Sequence, residues 1–160
     1  MKKNEASVSD LISSEYLNYI NDKKNFLSGF EELIYRNNSQ DTLRELFFHL
    51  WPNAYRDNST AFAEQELRNG SLKFQYAKPE ARGFIDSLDF KVDGETVPFT
   101  YHERHPDICK IALKKPLQPG GRTTISTPFR VKIPSSAFSR PGHYKQQYQL
   151  CQWYPKPAVY

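Results

Sequence analysis

The run His102-Glu103-Arg104-His105-Pro106-Asp107, with Cys109 close behind it, gathers the residue types that ligate metals. A metal site needs three or four convergent donors, and donors at i and i+3 converge only on a helix. Pro106 and the strand-like residues on either side make this stretch a connection. Its side chains should splay, and the run reads as a solvated turn. His49 lies within an apolar run and reads as a satisfied interior or interface histidine. The chain has no H-E-x-x-H, no G-x-S-x-G and no glycine-rich phosphate loop. Serine, histidine and aspartate occur at no spacing that singles out a triad. By residue chemistry alone these 160 residues carry no catalytic apparatus.

The last stretch, Tyr144 to Tyr160, offers recognition chemistry instead. Read as a strand from Tyr144 to Trp153, it places Tyr144, Gln146, Tyr148, Leu150 and Gln152 on one face. Lys145, Gln147, Gln149, Cys151 and Trp153 fall on the other. Glutamines on both faces suit a core strand poorly, because a buried amide needs a partner in protein, water or ligand. Tyr144, Tyr148, Trp153, Tyr154 and Tyr160 could stack on a sugar or a peptide, with the glutamines supplying hydrogen bonds. The same aromatics would also fill a seam against a neighbouring domain, which is the reading taken here. Pro155 and Pro157, lacking an N–H, are expected to end the ladder. Because the chain stops directly after this stretch, it is expected to be the front of a longer protein.

The elements that must hold these residues are strands. Leu11 to Ile20 and Phe26 to Arg36 flank the turn cluster Asn21-Asp22-Lys23-Lys24-Asn25 and read as a hairpin. Leu43 to Trp51 is apolar on both faces, as expected of a central strand that Pro52 stops. Asn53 to Thr60 reads as a loop, with Ser59 or Thr60 capping a helix Ala61–Arg68 and Gly70 just past its end. Asp93-Gly94 is the strongest hairpin signal, flanked by Phe84 to Val92 and Val97 to Tyr101. Ile108 to Leu113 alternates, and Pro116 to Gly121 makes a corner. Thr123, Ile125, Thr127, Phe129, Val131 and Ile133 then share one face of a regular strand. Pro134 to Gly142 is a loop. Short strands at regular spacing with Gly and Pro punctuation predict a mainly β domain, an antiparallel sandwich or saddle-shaped sheet with one short helix.

Composition sets limits on function. A chain of 160 residues buries roughly 70% of its unfolded surface and can hold a core without staples. Only 38% of residues are hydrophobic, yet 14% are aromatic, which suits a sheet with one wet face or a domain made to lean on another. The net charge of +4 is spread along the chain, so the basic stripe of a nucleic-acid binder is absent. Cys109 and Cys151 match no metal or redox spacing; one disulfide is possible in an oxidising compartment, and two buried thiols are the reading taken here. Met1-Lys2-Lys3 has the charge of a leader, but no apolar segment follows, and nothing reaches a membrane-spanning length.

Two segments look familiar. Phe47-Phe48-His49-Leu50-Trp51-Pro52-Asn53-Ala54-Tyr55 and Gln152-Trp153-Tyr154-Pro155-Lys156-Pro157-Ala158-Val159-Tyr160 resemble the N-terminal domain of bacterial aminopeptidase N-like zinc metallopeptidases, peptidase family M1. Leu27-Ser28-Gly29 through Tyr35-Arg36-Asn37-Asn38-Ser39 is similar to the second strand of that domain, and Leu117-Gln118-Pro119-Gly120 to its pre-strand corner. The likeness covers about residues 15–160. It implies a saddle-like β-domain beside a thermolysin-like catalytic domain, in which zinc activates water and a glutamate serves as general base. None of those catalytic residues stands in this sequence. In the family, a Gln or Glu upstream of a W-F-P-like proline borders the cleft and holds the substrate's free α-amine. Counting back from Pro155 by that spacing reaches Gln146. The Cys and Asp usual after the proline are replaced by Lys156, Pro157 and Ala158, which shifts the register enough to make Gln149 the rival. A structural amide at a domain junction is the other reading of the same position.

The expectation is therefore a segment 1–12 without fixed structure and a domain 13–160. That domain would be the non-catalytic part of a zinc metallopeptidase with aminopeptidase activity, with Trp153, Tyr154 and Pro155 at the domain interface. Zinc is expected in the catalytic domain and no cofactor in this segment. The expected partners are that downstream domain and a peptide substrate, with no nucleic acid and no membrane span. Family habit suggests a periplasmic or secreted protein. A free-standing carbohydrate- or peptide-binding module and a scaffold domain of an inactive relative are the alternatives.

Overall fold

The computed structural model describes residues 14–158. The segment expected to lack fixed structure, and Leu11 to Ser13 of the first strand, lie outside the described residues. β1 (Ser14–Asn21) and β2 (Phe26–Arg36) form the anticipated hairpin, in unbroken antiparallel register from Ser14↔Leu33 to Asn21↔Phe26. Asn25 closes the turn at φ 55, a left-handed conformation that asparagine's short polar side chain tolerates.

β3 (Leu43–His49) ends earlier than its hydrophobicity suggested. Trp51 leaves the sheet and opens a 3-10 helix, Trp51–Tyr55, that occupies part of the expected loop. The reason is Pro52: its fixed φ suits a first helical turn, and it has no N–H for a ladder. The helix α1 (Ala61–Arg68) forms as read, with Thr60 Oγ1 accepting from the Ala63 N–H at 3.2 Å. A second 3-10 turn covers Pro79–Ala81.

The strand expected over Phe84 to Val92 is two pieces, β4 (Phe84–Asp86) and β5 (Lys91–Val92), because Ser87 at φ 60 turns the chain between them. β5 and β6 (Glu95–Thr96) flank Asp93 (φ 51) and Gly94 (φ 83), the left-handed pair that a tight hairpin requires. β7 (Phe99–Tyr101) starts only after Pro98. β8 (Ile108–Leu117) runs beyond Leu113, so the corner narrows to Gln118–Gly121 ahead of β9 (Arg122–Lys132).

The final strand differs most from expectation. It is a hairpin, β10 (Gly142–Tyr144) and β11 (Gln147–Gln149), followed by an irregular tail and β12 (Lys156–Pro157). Lys145 at φ 53 reverses the chain within what alternation had suggested was one strand.

The strands assemble into two larger sheets. One runs β1-β2-β9-β5-β6, with β4 also on β9; the other runs β12-β3-β8-β7. All strand pairs are antiparallel. The β2–β9 ladder pairs eleven residues from Phe26↔Lys132 to Arg36↔Arg122. Every member of the predicted face Thr123, Ile125, Thr127, Phe129, Val131 and Ile133 is buried. Its apolar members Ile125, Phe129, Val131 and Ile133 share one core with Leu46, Phe48, Cys109 and Ile111 of the second sheet. The fold is a mainly β, sandwich-like domain with one α-helix among the described residues, as the sequence predicted. Among the described residues no helix is long and apolar enough to cross a membrane.

Candidate functional site: the aromatic cleft beside the β10–β11 hairpin

The hairpin is held at three points. Gly142 lies so close to the Pro134–Ser136 loop that a Cβ there would stand 2.7 Å from the Ser136 backbone and 3.0 Å from the Pro134 carbonyl oxygen. The His143 N–H donates to Pro134 O at 2.8 Å, and the Ser136 N–H donates to His143 O at 3.0 Å. The Tyr148 hydroxyl reaches the β1–β2 turn, donating to Asn25 Oδ1 at 2.9 Å. Glycine is therefore required at position 142 for want of space, not for its backbone angle.

Beyond Gln149 the tail crosses the core. Gln152 turns it at φ 52. The Trp153 ring packs on Phe129 at 5.7 Å and meets Tyr154 edge-on at 5.6 Å. Pro155 is buried, and Lys156 and Pro157 then pair with His49 and Phe48 as an edge strand. The prolines thus do not terminate a ladder. Pro157 sits within one, at an edge where a missing N–H is tolerated. The Ala158 N–H continues the pairing, donating to Phe47 O at 2.8 Å.

Between this tail and the Trp51–Tyr55 turn lies a cleft of about 60 Å³, walled by Trp51, Tyr55, Pro134, Gln149, Cys151 and Trp153 among others. Trp51 is half-buried and stacks on His49 at 5.1 Å with ring planes 14° apart. Below it, buried Asn53 ties the turn to two neighbours. Its Nδ2 donates to Pro106 O and its Oδ1 accepts from the Ile85 N–H, each at 2.9 Å. Burial pushes the Tyr55 hydroxyl above its usual pKa, a rise that a hydrogen bond with Ser139 partly opposes. The cleft is mostly apolar, with amides and one phenol at its margins. It can enclose a small apolar group and bond the polar atoms beside it.

The site residues read from sequence fall in different places. Gln149 is exposed on β11 and lines the cleft; Gln146 is exposed at the tip of the β10–β11 turn and does not. The two glutamines are not brought to a common point. Trp153 and Tyr154 are half-buried against the core, and Pro155 is buried.

The thiols do not pair. Cys109 is buried, its pKa pushed up to about 12 by burial, and Cys151 is half-buried in the cleft wall. His102 and His105 lie with ring centroids 4.9 Å apart, and His102 Nδ1 accepts from the Arg104 N–H. Among the described residues no three His, Cys, Asp or Glu side chains converge as metal ligands. The donor set among the described residues does not fit zinc.

Glu31 escaped the sequence reading. It stands on β2 opposite Thr127, only 1% exposed, and neither carboxylate oxygen has a partner among the described residues. Burial raises its pKa to about 8, so it is protonated at neutral pH. The signal was available: alternation from Leu27 through Leu33 and Tyr35 puts position 31 on the core face.

No family model matches the chain, and no curated protein matches it in sequence. Among solved structures it is similar to an M1 zinc metallopeptidase from Deinococcus radiodurans, at 12% identity and a TM-score of 0.40 over 71% of this chain and 18% of that one. A mutant of the Deinococcus enzyme aligns at 14% identity and a TM-score of 0.42, over 74% of this chain and 19% of that one. A two-domain M1 zinc metallopeptidase mutant bound to L-arginine aligns at 13% and 0.42, covering 79% and 21%. The chain therefore spans about a fifth of the length of the structures it matches.

Proposed function

We propose that this β-domain is the non-catalytic domain of a zinc-dependent metallopeptidase, an aminopeptidase, and forms one wall of a substrate cleft completed by a catalytic domain of the same chain. One observation carries the reading. The two segments whose residues resemble the aminopeptidase N-like family, Phe47–Tyr55 and the stretch from Gln152, lie far apart in sequence but are ladder neighbours in the fold. Together they wall the aromatic cleft, so the resemblance falls on one contiguous surface.

In this reading Trp153 and Tyr154 turn their remaining exposed area towards the catalytic domain, with buried Pro155 fixing their backbone. Zinc belongs to that domain. The contribution of the β-domain is positional: it narrows the cleft, excludes water and holds the peptide's free end so that the reacting amide is correctly placed. Gln146, on a hairpin tip that projects from the core, would accept a hydrogen bond from the substrate's α-ammonium group through its amide oxygen. Gln149 takes this role if the cleft itself receives the substrate's terminus.

The test uses the complete chain. Zinc content and the hydrolysis of aminoacyl substrates are measured for the parent protein, Gln146→Ala and Gln149→Ala. A rise in KM at unchanged zinc stoichiometry identifies the amine-holding glutamine. A complete chain with neither zinc nor peptidase activity overturns the reading. Saturable binding of a peptide or sugar, with cleft tryptophan fluorescence responding, would then favour a recognition module built on Trp51, Tyr55 and Trp153.

A further inference from the structure

Strand edges are hazardous because their free N–H and C=O groups can template pairing with another chain. Most edges among the described residues are blunted. β6 and β12 have two residues each, and β12 contains Pro157. β4, β7, β10 and β11 have three each, with Pro98 directly before β7. β1 is different. It has eight residues, pairs among the described residues only with β2, and runs without a bulge. It contains no Pro, Lys or Arg, and Glu15 is its single charge. At its end Tyr19 is 69% exposed and Ile20 is 38% exposed.

Its sequence is also symmetric in character. Glu15-Tyr16-Leu17-Asn18-Tyr19-Ile20-Asn21 reads polar, aromatic, aliphatic, amide, aromatic, aliphatic, polar. Apolar and polar positions are mirror images about Asn18. We propose that β1 pairs antiparallel with β1 of a second copy of this chain, about a two-fold axis through Asn18, joining the two β1–β2–β9 sheets into one.

That register sets Asn18 opposite the second copy's Asn18, Leu17 opposite Tyr19, Tyr16 opposite Ile20, and Glu15 opposite Asn21. Each pair joins positions of the same parity, so the two sheets keep the same faces up. Aromatic–aliphatic cross-strand pairs stabilise such a junction, amides meet amides, and no like charges are opposed. An isologous interface needs a self-complementary edge. The mirrored pattern supplies one, and it is the reason for naming a second copy over an unrelated strand.

The test is the mass of the complete chain in solution, measured by sedimentation over a concentration series, for three variants beside the parent. Tyr19→Lys places a cation on the edge at a site exposed in the monomer, and should raise the dimer dissociation constant about tenfold or more at unchanged circular dichroism. Tyr19→Phe should remain dimeric. Directly opposed antiparallel residues have Cα atoms about 4.5–5.5 Å apart, within disulfide reach, so Asn18→Cys should cross-link to a covalent dimer under mild oxidation while the parent does not. A parent that is monomeric at every concentration overturns the proposal. So does a dimer indifferent to Tyr19→Lys, or one in which Asn18→Cys fails to cross-link.

Discussion

The β2–β9 ladder and the segment from Gly142 to Ala158 are built on opposite terms. Along the ladder, alternate residues from Thr123 to Ile133 are buried without exception, and each strand is satisfied by its neighbour's backbone. In the later segment, regular pairing lasts three residues at a time, and position is fixed by single contacts: Gly142 against Ser136, Tyr148 on Asn25, Trp153 on Phe129. A ladder distributes its stability over many equivalent bonds. The later segment concentrates it, and Tyr144 to Gln147, Gln149 and Gln152 stay exposed between those contacts. This contrast is why the candidate site lies there and not on the larger sheet.

The largest expected effect lies in the ladder. Glu31 is protonated in the fold, with a pKa raised by burial from 4.5 to about 8, and ionises at the ordinary value when the chain unfolds. The folded state therefore holds the proton more tightly. Its contribution is full below about pH 4.5 and is lost as pH rises to about 8, a span worth roughly 5 kcal/mol. Thermal unfolding at a series of pH values should show that decline. Glu31→Gln, neutral at every pH and of the same shape, should flatten it.

A smaller effect is expected from Gly142→Ala, where a methyl group meets backbone with no side chain able to yield. Overpacking of this kind costs about 1–3 kcal/mol. Amide exchange should rise in residues 142–149 while the β2–β9 ladder stays protected. Equal loosening of both regions would remove the distinction drawn between them.

The smallest effect falls on the link between the two. Tyr148→Phe deletes the hydroxyl bonded to Asn25 and should cost about 1 kcal/mol. Denaturant titration gives the cost, and chemical shifts at Asn25 and Tyr144 show whether the hairpin has moved.

The two regions also differ in how far they could be read in advance. Period-two burial on β9, the Thr60 cap and the Asp93-Gly94 turn were legible because each depends on neighbours within a few residues. Gln146 and Gln149 were legible as polar residues with possible roles, but not as a turn tip and a cleft wall. Alternation alone cannot show that Lys145 reverses the chain, since only the loop at Pro134–Ser136 gives the returning strand its place. Glu31 was hidden for the opposite reason: its position was predictable, but its type argued against burial.

The antiparallel β architecture, the core face of β9 and the helix α1 were set by the sequence alone, because hydrophobic period, capping and turn chemistry act locally. Tertiary contacts alone set the segments around Trp51 and Pro157 side by side, open a cleft between them, and enclose on β2 a carboxyl with no partner among the described residues. Those facts depend on contacts between residues distant in the chain, where closing the loop costs entropy that no local pattern records.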